Sequence, residues 1–165
     1  MSMPLPTFRS AAFADIHRCY QIESCAYEGD EAATEEKIAT RIRQYPQGFL
    51  VMELEGRVIG FINSGCAYDV VMSDEKFKEL IGHDPDAPNV VVMSVVIDPA
   101  CQGRGLASLL MRAFVSSMRE QGKKSIHLMC RERHVELYRR FGYDYVKPSD
   151  SDHGGMSWHE MVMTL

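Results

Sequence analysis

The chain has 165 residues, 45% of them hydrophobic and 25% charged, which suits one domain with a core of its own. No apolar run approaches the ~20 residues of a membrane span. The opening MSMPLPTF has neither a basic n-region nor an apolar h-region, so the expectation is a cytoplasmic protein without membrane contact. Five dispersed cysteines (19, 25, 66, 101 and 130) without a CxxC, and six dispersed histidines, argue against a disulfide framework and against a bound metal. The net charge of −5 is uneven: Cys101 to Lys147 holds ten Lys/Arg against four Asp/Glu, a local +6, which leaves −11 for the rest. A basic C-terminal half suits phosphate groups and an acidic N-terminal half suits a cationic amine. The lack of a basic face with interleaved aromatics speaks against nucleic acid.

In chain order, Pro4–Arg9 reads as a short strand. Phe13, Ile16 and Tyr20 share helical spacing, which predicts a helix over Ala12–Ala26, broken by Gly29–Asp30. Thr34 is placed to cap a second helix with Glu35 and Glu36 in its first turn and Ile38, Ile42 and Tyr45 on its apolar face, ending before Pro46. Gly48–Leu54 and Arg57–Cys66 read as strands joined at Glu55–Gly56, a hairpin signal. Ala67–Pro88 is an insertion holding a short helix opened by Ser73-Asp-Glu, with Phe77, Leu80 and Ile81 inward. Further on come a strand at Ser125–Cys130 and a short helix at Val135–Arg140 ended by Gly142. Two last strands, Tyr143–Lys147 and Trp158–Leu165, are joined by the polar loop Pro148–Ser157. No repeat, low-complexity tract or linker divides the chain, so residues 1–165 are expected to form a single domain.

The stretch between these parts, Val90–Arg112, carries the chemistry. Val90–Ile97 is a continuous β-branched and apolar run, as in a strand buried on both faces. Asp98–Pro99 ends it, because proline lacks the N–H that a ladder needs. Gln102-Gly103-Arg104-Gly105 then turns into a helix whose apolar stripe is read as Leu106, Leu109, Leu110, Ala113, Phe114 and Ser117. A strand, a glycine turn and a helix N-terminus together favour an anion, since first-turn N–H groups lack intrahelical partners and the helix dipole adds positive charge. Ser108 stands where GxGxxG needs its third glycine, and GxxxxGK[ST] is absent, so neither a dinucleotide fingerprint nor a P-loop is present.

What is present is Gln102-x-x-Gly105-x-Ala107. This resembles the (Gln/Arg)-x-x-Gly-x-(Gly/Ala) loop of the GNAT N-acetyltransferase superfamily, and the element order β-α-α-β-β-(insertion)-β-α-β-α-β-β resembles its fold. The resemblance implies a mixed α/β, GNAT-like acyl-CoA N-acyltransferase fold, a central mixed sheet of about seven strands flanked by about four helices. It also implies acetyl-CoA as co-substrate. Gln102, Gly103, Arg104, Gly105, Leu106 and Ala107 would then hold the pyrophosphate, and Val95, Val96 and Ile97 would offer backbone groups to the pantetheine arm and the acetyl oxygen.

Three further segments are similar to the arylalkylamine (serotonin) N-acetyltransferase-like branch: EGRVIGFI from Glu55, LMC from Leu128 followed by LYRRFGY from Leu137, and HGGMSWHEM from His153. By this likeness Tyr138 holds the position of the general acid. Two positions depart from the pattern. The fourth strand, Asn89–Met93, lacks the His-x-His pair of the animal enzymes, and Arg131 stands where many members have a coenzyme-contacting asparagine. Arginine still meets phosphate or carbonyl groups.

Amide formation from a thioester needs a neutral amine, a polarised carbonyl and a protonated leaving thiolate, with both substrates held in one cleft. Candidate acceptor-site residues are Glu23 and Glu28 at the end of the first helix, Tyr68 and Asp69 at the start of the insertion, and His153 and His159 beside the last strand. The base is not readable among them. The insertion is the expected lid, with Tyr68, Met72 and Phe77 as apolar walls, while Trp158, Cys101 and Cys130 read as packing. The expected function is transfer of acetyl from acetyl-CoA to a small primary amine, arylalkylamine- or polyamine-like. Acetylation of a protein N-terminus or lysine, and a non-catalytic acyl-CoA-binding module, stand as alternatives. The resemblance allows a homodimer, although no exposed signature marks one.

Overall fold

The computed structural model describes residues 4–27 and 32–165. Seven strands form one sheet in the order β1-β2-β3-β4-β5-β7-β6. They are β1 (Thr7–Ser10), β2 (Phe49–Leu54), β3 (Arg57–Ala67), β4 (Asn89–Ile97), β5 (Ser125–Cys130), β6 (Asp144–Pro148) and β7 (His159–Thr164). Helices α1 (Ile16–Ala26), α2 (Glu35–Gln44), α3 (Leu106–Glu120) and α4 (Val135–Arg140) accompany them, so the expected mixed α/β architecture is found. Every neighbouring pair is antiparallel except β4 with β5.

Each face of the sheet has its own core. On one, Leu106, Leu110, Met111, Phe114 and Met118 of α3 pack against Ile62, Val90, Val92 and Ile126. On the other, Cys19 and Ile22 of α1 and Ile38 and Ile42 of α2 pack against Phe49, Val51, Phe61 and Val96. β4 changes sides part-way. Its ladder to β3 pairs Asn63 with Ser94 but Ser64 with Val92, so Met93 is an extra residue. A bulge of this kind reverses the alternation of a strand. Val90 and Val92 therefore face α3 before it, whereas Ile97 does so after it and Val96 faces α1 and α2.

Several expected details are corrected. The first helix starts at Ile16, after a 3-10 turn at Phe13–Asp15 held by Arg9, whose guanidinium grips the Asp15 carboxylate at 2.7 and 2.9 Å. That turn changes the helical phase: Phe13 is 63% exposed, and Cys19, Ile22 and Glu23 are the buried residues. On α3 the buried stripe runs through Met111 and Met118 rather than Leu109 and Ser117, because long unbranched methionines fill the space below the sheet. Ile81 points out, 56% exposed, since Leu80 ends its 3-10 turn in the left-handed region (φ 61°). Tyr143 lies just before β6 and Trp158 just before β7, so neither belongs to a strand.

The insertion is tied to the end of β3. Asp84 N–H donates to the Cys66 carbonyl at 2.9 Å, and Cys66 N–H donates to His83 Nδ1 at 2.8 Å. Phe77 and Leu80 lie over Gly65, where an added Cβ would come within 2.8 and 2.9 Å of them. Phe77 packs with Ala67 and Val91, with Val70 and Met72 beside it. The short helix is thus a plug on the sheet.

Candidate active site

A cleft opens where the parallel pair of the sheet, β4 and β5, comes apart. β4 and β5 are paired over Asn89–Val91 and Ser125–His127 and no further. Beyond that point β4 carries its bulge at Met93, while β5 keeps all six residues paired to β7. A bulged strand bends, and its neighbour, anchored on the other side, does not follow. The wedge between them exposes Val92–Ile97 on one wall and Leu128–Arg131 on the other.

Two cavities meet in this wedge. The larger, about 430 Å³, runs along Val95, Val96 and Ile97 to Gln102 and is walled opposite by Arg131, Arg133 and His134. The smaller, about 70 Å³, lies among Lys78, Met93, Ser94 and His153. Tyr27, Val95, Met129, Tyr138 and Trp158 line both, so Tyr138 stands at their junction. Its ring packs edge-on against Tyr143 and Phe141, with centroids 5.7 and 6.2 Å away. Burial, with the Cys130 thiol nearby, pushes the Tyr138 hydroxyl upward from its usual range, so it stays protonated at neutral pH. Cys130 is pushed up to about 11 by burial and lies against Met161, so it is a protonated packing thiol.

The glycine loop sits beyond the end of the larger cavity. Gly103 (φ 82°) and Gly105 (φ 73°) are left-handed, and no atom lies within 4 Å of where their Cβ would be. Glycine suits this conformation and leaves the loop backbone open to close approach. Gly105 caps α3 without a side-chain hydrogen bond. Leu106 is buried and Ala107 half-buried as they enter the helix, while Gln102, Gly103, Arg104 and Gly105 are exposed. Gln102 is the loop residue that also lines the cavity, and its Nε2 donates to the Ile97 carbonyl at 3.3 Å.

The remaining sequence candidates separate. Val95, Val96, Ile97, Arg131 and Tyr138 come together in the larger cavity and His153 in the smaller. Glu23 is fully buried and lines neither; one carboxylate oxygen accepts the Ala33 N–H and the other has no hydrogen-bond partner among the described residues. Glu28 lies outside the described residues. Tyr68, 62% exposed, and Asp69, also exposed, line none of the described cavities. Met72 and Phe77 pack on the sheet, so the insertion reaches the cleft through Lys78 instead.

Trp158, read as core, is a cleft wall. Its Nε1 donates to the His153 carbonyl at 2.9 Å and the Arg131 guanidinium lies 6.0 Å from its ring centroid. Tyr27 was not anticipated either. Its hydroxyl donates to the Val95 carbonyl at 3.0 Å, which closes the cleft from the α1 side. His153 Nδ1 lies 3.3 Å from Glu75 Oε2, so a carboxylate orients its ring. Nothing in the local sequence signals the Tyr27–Val95 and His153–Glu75 pairings, which join residues far apart in the chain.

A family model described as acetyltransferase (GNAT) matches residues 16–143. Serotonin N-acetyltransferase 2, chloroplastic, of Oryza sativa subsp. japonica is 40% identical over 55 residues, 33% of this chain. The match spans 28% of that relative's length. Among solved structures, the loading GNATL domain of CurA from Lyngbya majuscula has a TM-score of 0.84 at 16% identity, covering 97% of this chain and 98% of that one. The structure of yncA from Salmonella typhimurium with acetyl-CoA has a TM-score of 0.69 at 21% identity, covering 98% and 94%. The chain belongs to the acetyltransferase (GNAT) family. The matching family is one of acetyltransferases, and the yncA structure carries acetyl-CoA as its cofactor. Among the described residues no helix is long and apolar enough to cross a membrane, and no cluster of His, Cys, Asp and Glu could hold a metal ion.

Proposed function

We propose that this domain transfers acetyl from acetyl-CoA to the primary amine of a small molecule, by direct attack with both substrates held in the wedge. The observation that carries the reading is the meeting of two cavities at Tyr138. The larger one suits the coenzyme: Gln102–Ala107 and the first-turn N–H groups of α3 meet the pyrophosphate, Arg131 and Arg133 add positive charge, and the splayed Val95–Ile97 backbone meets the pantetheine arm. The smaller one suits the acceptor amine, which approaches the acyl carbon from the opposite side. Its modest size and its closure by Tyr27, Lys78 and Trp158 favour a small molecule over a protein segment, which would want an open groove.

Each step then falls to a named residue. Tyr138, protonated at neutral pH, donates a proton or hydrogen bond to the departing thiolate. His153, held by Glu75 and lining the acceptor cavity, takes the amine proton; with Nδ1–H turned to the carboxylate, the lone pair of the neutral ring lies on Nε2. Positioning of both substrates supplies much of the rate.

Tyr138→Phe is the test. Released thiol is measured with acetyl-CoA and a panel of amines, and coenzyme affinity by calorimetry. General acid catalysis contributes about 10²-fold or more, so kcat should fall by that order with coenzyme affinity kept. An unchanged kcat would remove Tyr138 from the chemistry, and tight coenzyme binding without thiol release from any amine would leave a binding module.

A further inference from the structure

The walls of the acceptor cavity carry an excess of cations. A narrow cleft continues from it, and Lys78, Met93, Ser94 and His153 line both. The continuation adds Lys37 and Arg41 to the walls. Among the described residues, no Asp or Glu side chain lines either space. Arg41 is 3% exposed, and the acceptors of its guanidinium are neutral: Nε donates to the Lys78 carbonyl at 3.1 Å and Nη1 to Asn63 Oδ1 at 3.4 Å. Neither Arg41 nor Lys78 forms an ion pair among the described residues.

A guanidinium taken out of water without a carboxylate is a poorly compensated charge. Burial pulls Arg41 and Lys78 below their usual values. Glu23 opposes this for both from behind the cavity, and Glu75 opposes it for Lys78, whereas Lys37 and Arg41 add to the repulsion felt by Lys78. Glu75 is also the partner of His153. Counting the described side chains, three cationic residues face two carboxylates that do not reach the lumen. Among the described residues, the acceptor end is short of negative charge.

We infer that the Lys78–Arg41 end of the cleft binds a carboxylate, so that the acceptor is an amino acid rather than the simple amine that remains when its carboxyl group is removed. The inference rests on the assignment of this arm to the acceptor. The carboxylate would complete the charge of Arg41 and Lys78, and the α-amino group would lie toward Tyr138. The same cations disfavour an ammonium, which lowers the amine's pKa and helps it arrive neutral. This reverses the expectation of a cationic acceptor drawn from the acidic N-terminal half.

Matched pairs test it: alanine with ethylamine, phenylalanine with phenylethylamine, tryptophan with tryptamine. For each, kcat/KM is read from thiol released from acetyl-CoA. Binding of the corresponding N-acetylated compounds to the enzyme with CoA is read by calorimetry, which needs no turnover. The amino-acid member should be favoured at least tenfold in both, and Lys78→Met or Lys37→Met should bring the ratio toward one while coenzyme affinity and melting temperature hold. A carboxylate preference in binding without turnover would uphold the carboxylate site and sink acetyl transfer to small amines. Equal binding within the pairs, preference for the amines, or a ratio indifferent to both lysine variants would overturn the inference.

Discussion

Gly60 connects packing to the active site more directly than any catalytic group. It lies on β3 opposite Ile97, and a Cβ there would come within 2.7 Å of the Val96 carbonyl oxygen and 2.8 Å of Ile97 Cδ1. The first of these is backbone, which cannot rotate away. Gly60→Ala should therefore push the Val96–Ile97 wall into the larger cavity. The expected outcome is a loss of about 1–3 kcal/mol of stability, as for other overpacked sites, with a weaker fit for acetyl-CoA. Urea unfolding and coenzyme titration measure the two effects. Gly65→Ala is the contrast, because its neighbours are the ends of Phe77 and Leu80 on the insertion, and it should cost stability without touching coenzyme affinity. At this scale the sequence was legible where one residue type has one use. Gln102, Gly105 and Tyr138 could be picked out as candidates, whereas Gly60 reads as an ordinary strand glycine until its neighbour across the ladder is known.

At the scale of elements, the insertion is held to β3 by a histidine that must stay neutral. His83 Nδ1 accepts the Cys66 N–H, its ring packs on Tyr45 at 4.6 Å, and Nε2 is buried without a hydrogen-bond partner among the described residues. Burial lowers its pKa from the usual 6.5, aided by nearby Lys123 and opposed by Asp84. Below about pH 6.5 the unfolded chain takes up a proton that the folded site refuses, so stability falls as pH falls through that range. It levels off once the folded site is itself protonated. Above pH 6.5 both states are neutral and the site adds no pH dependence. His83→Gln should lower stability at pH 7.5 yet flatten its decline between pH 7 and 5, read from urea midpoints. A decline as steep as in the parent would place the titrating group elsewhere. The helices show how far patterning reaches. Thr34 caps α2 through Lys37 N–H at 3.2 Å, as its position in the sequence implied. The phase of α1 was misread because Asp15 is committed to Arg9, a contact between two elements.

For the whole molecule, coenzyme binding should appear as stability. A ligand at 100 times its Kd adds about 2.7 kcal/mol to a protein that binds it only when folded. For a domain of this size that corresponds to a rise of roughly 5–10 °C in Tm. Gly105→Glu should abolish the acetyl-CoA-induced rise, by placing a carboxylate at the N-terminus of α3. Gly122→Glu is the matched control at the other end of α3, since Gly122 has a similar backbone (φ 77°) and equally open surroundings. Its melting point should fall by a similar small amount with the coenzyme shift intact. A full shift in Gly105→Glu would mean that the loop does not hold the pyrophosphate.

What the sequence determined by itself is what depends on near neighbours along the chain. The strand and helix content, the hairpin at Glu55–Gly56, the glycine turn into α3 and the motif read as a coenzyme loop all rest on hydrophobic period, proline and glycine, read within a few residues. The family followed from that order of elements. Tertiary structure alone decided the proposed acceptor end. The bulge at Met93 turns β4 over and parts it from β5, and that opening lets Tyr27, Lys78, Arg41, His153 and Trp158 meet from four separate segments. A cavity's charge is a sum over side chains brought together by the fold. No window along the chain contains it.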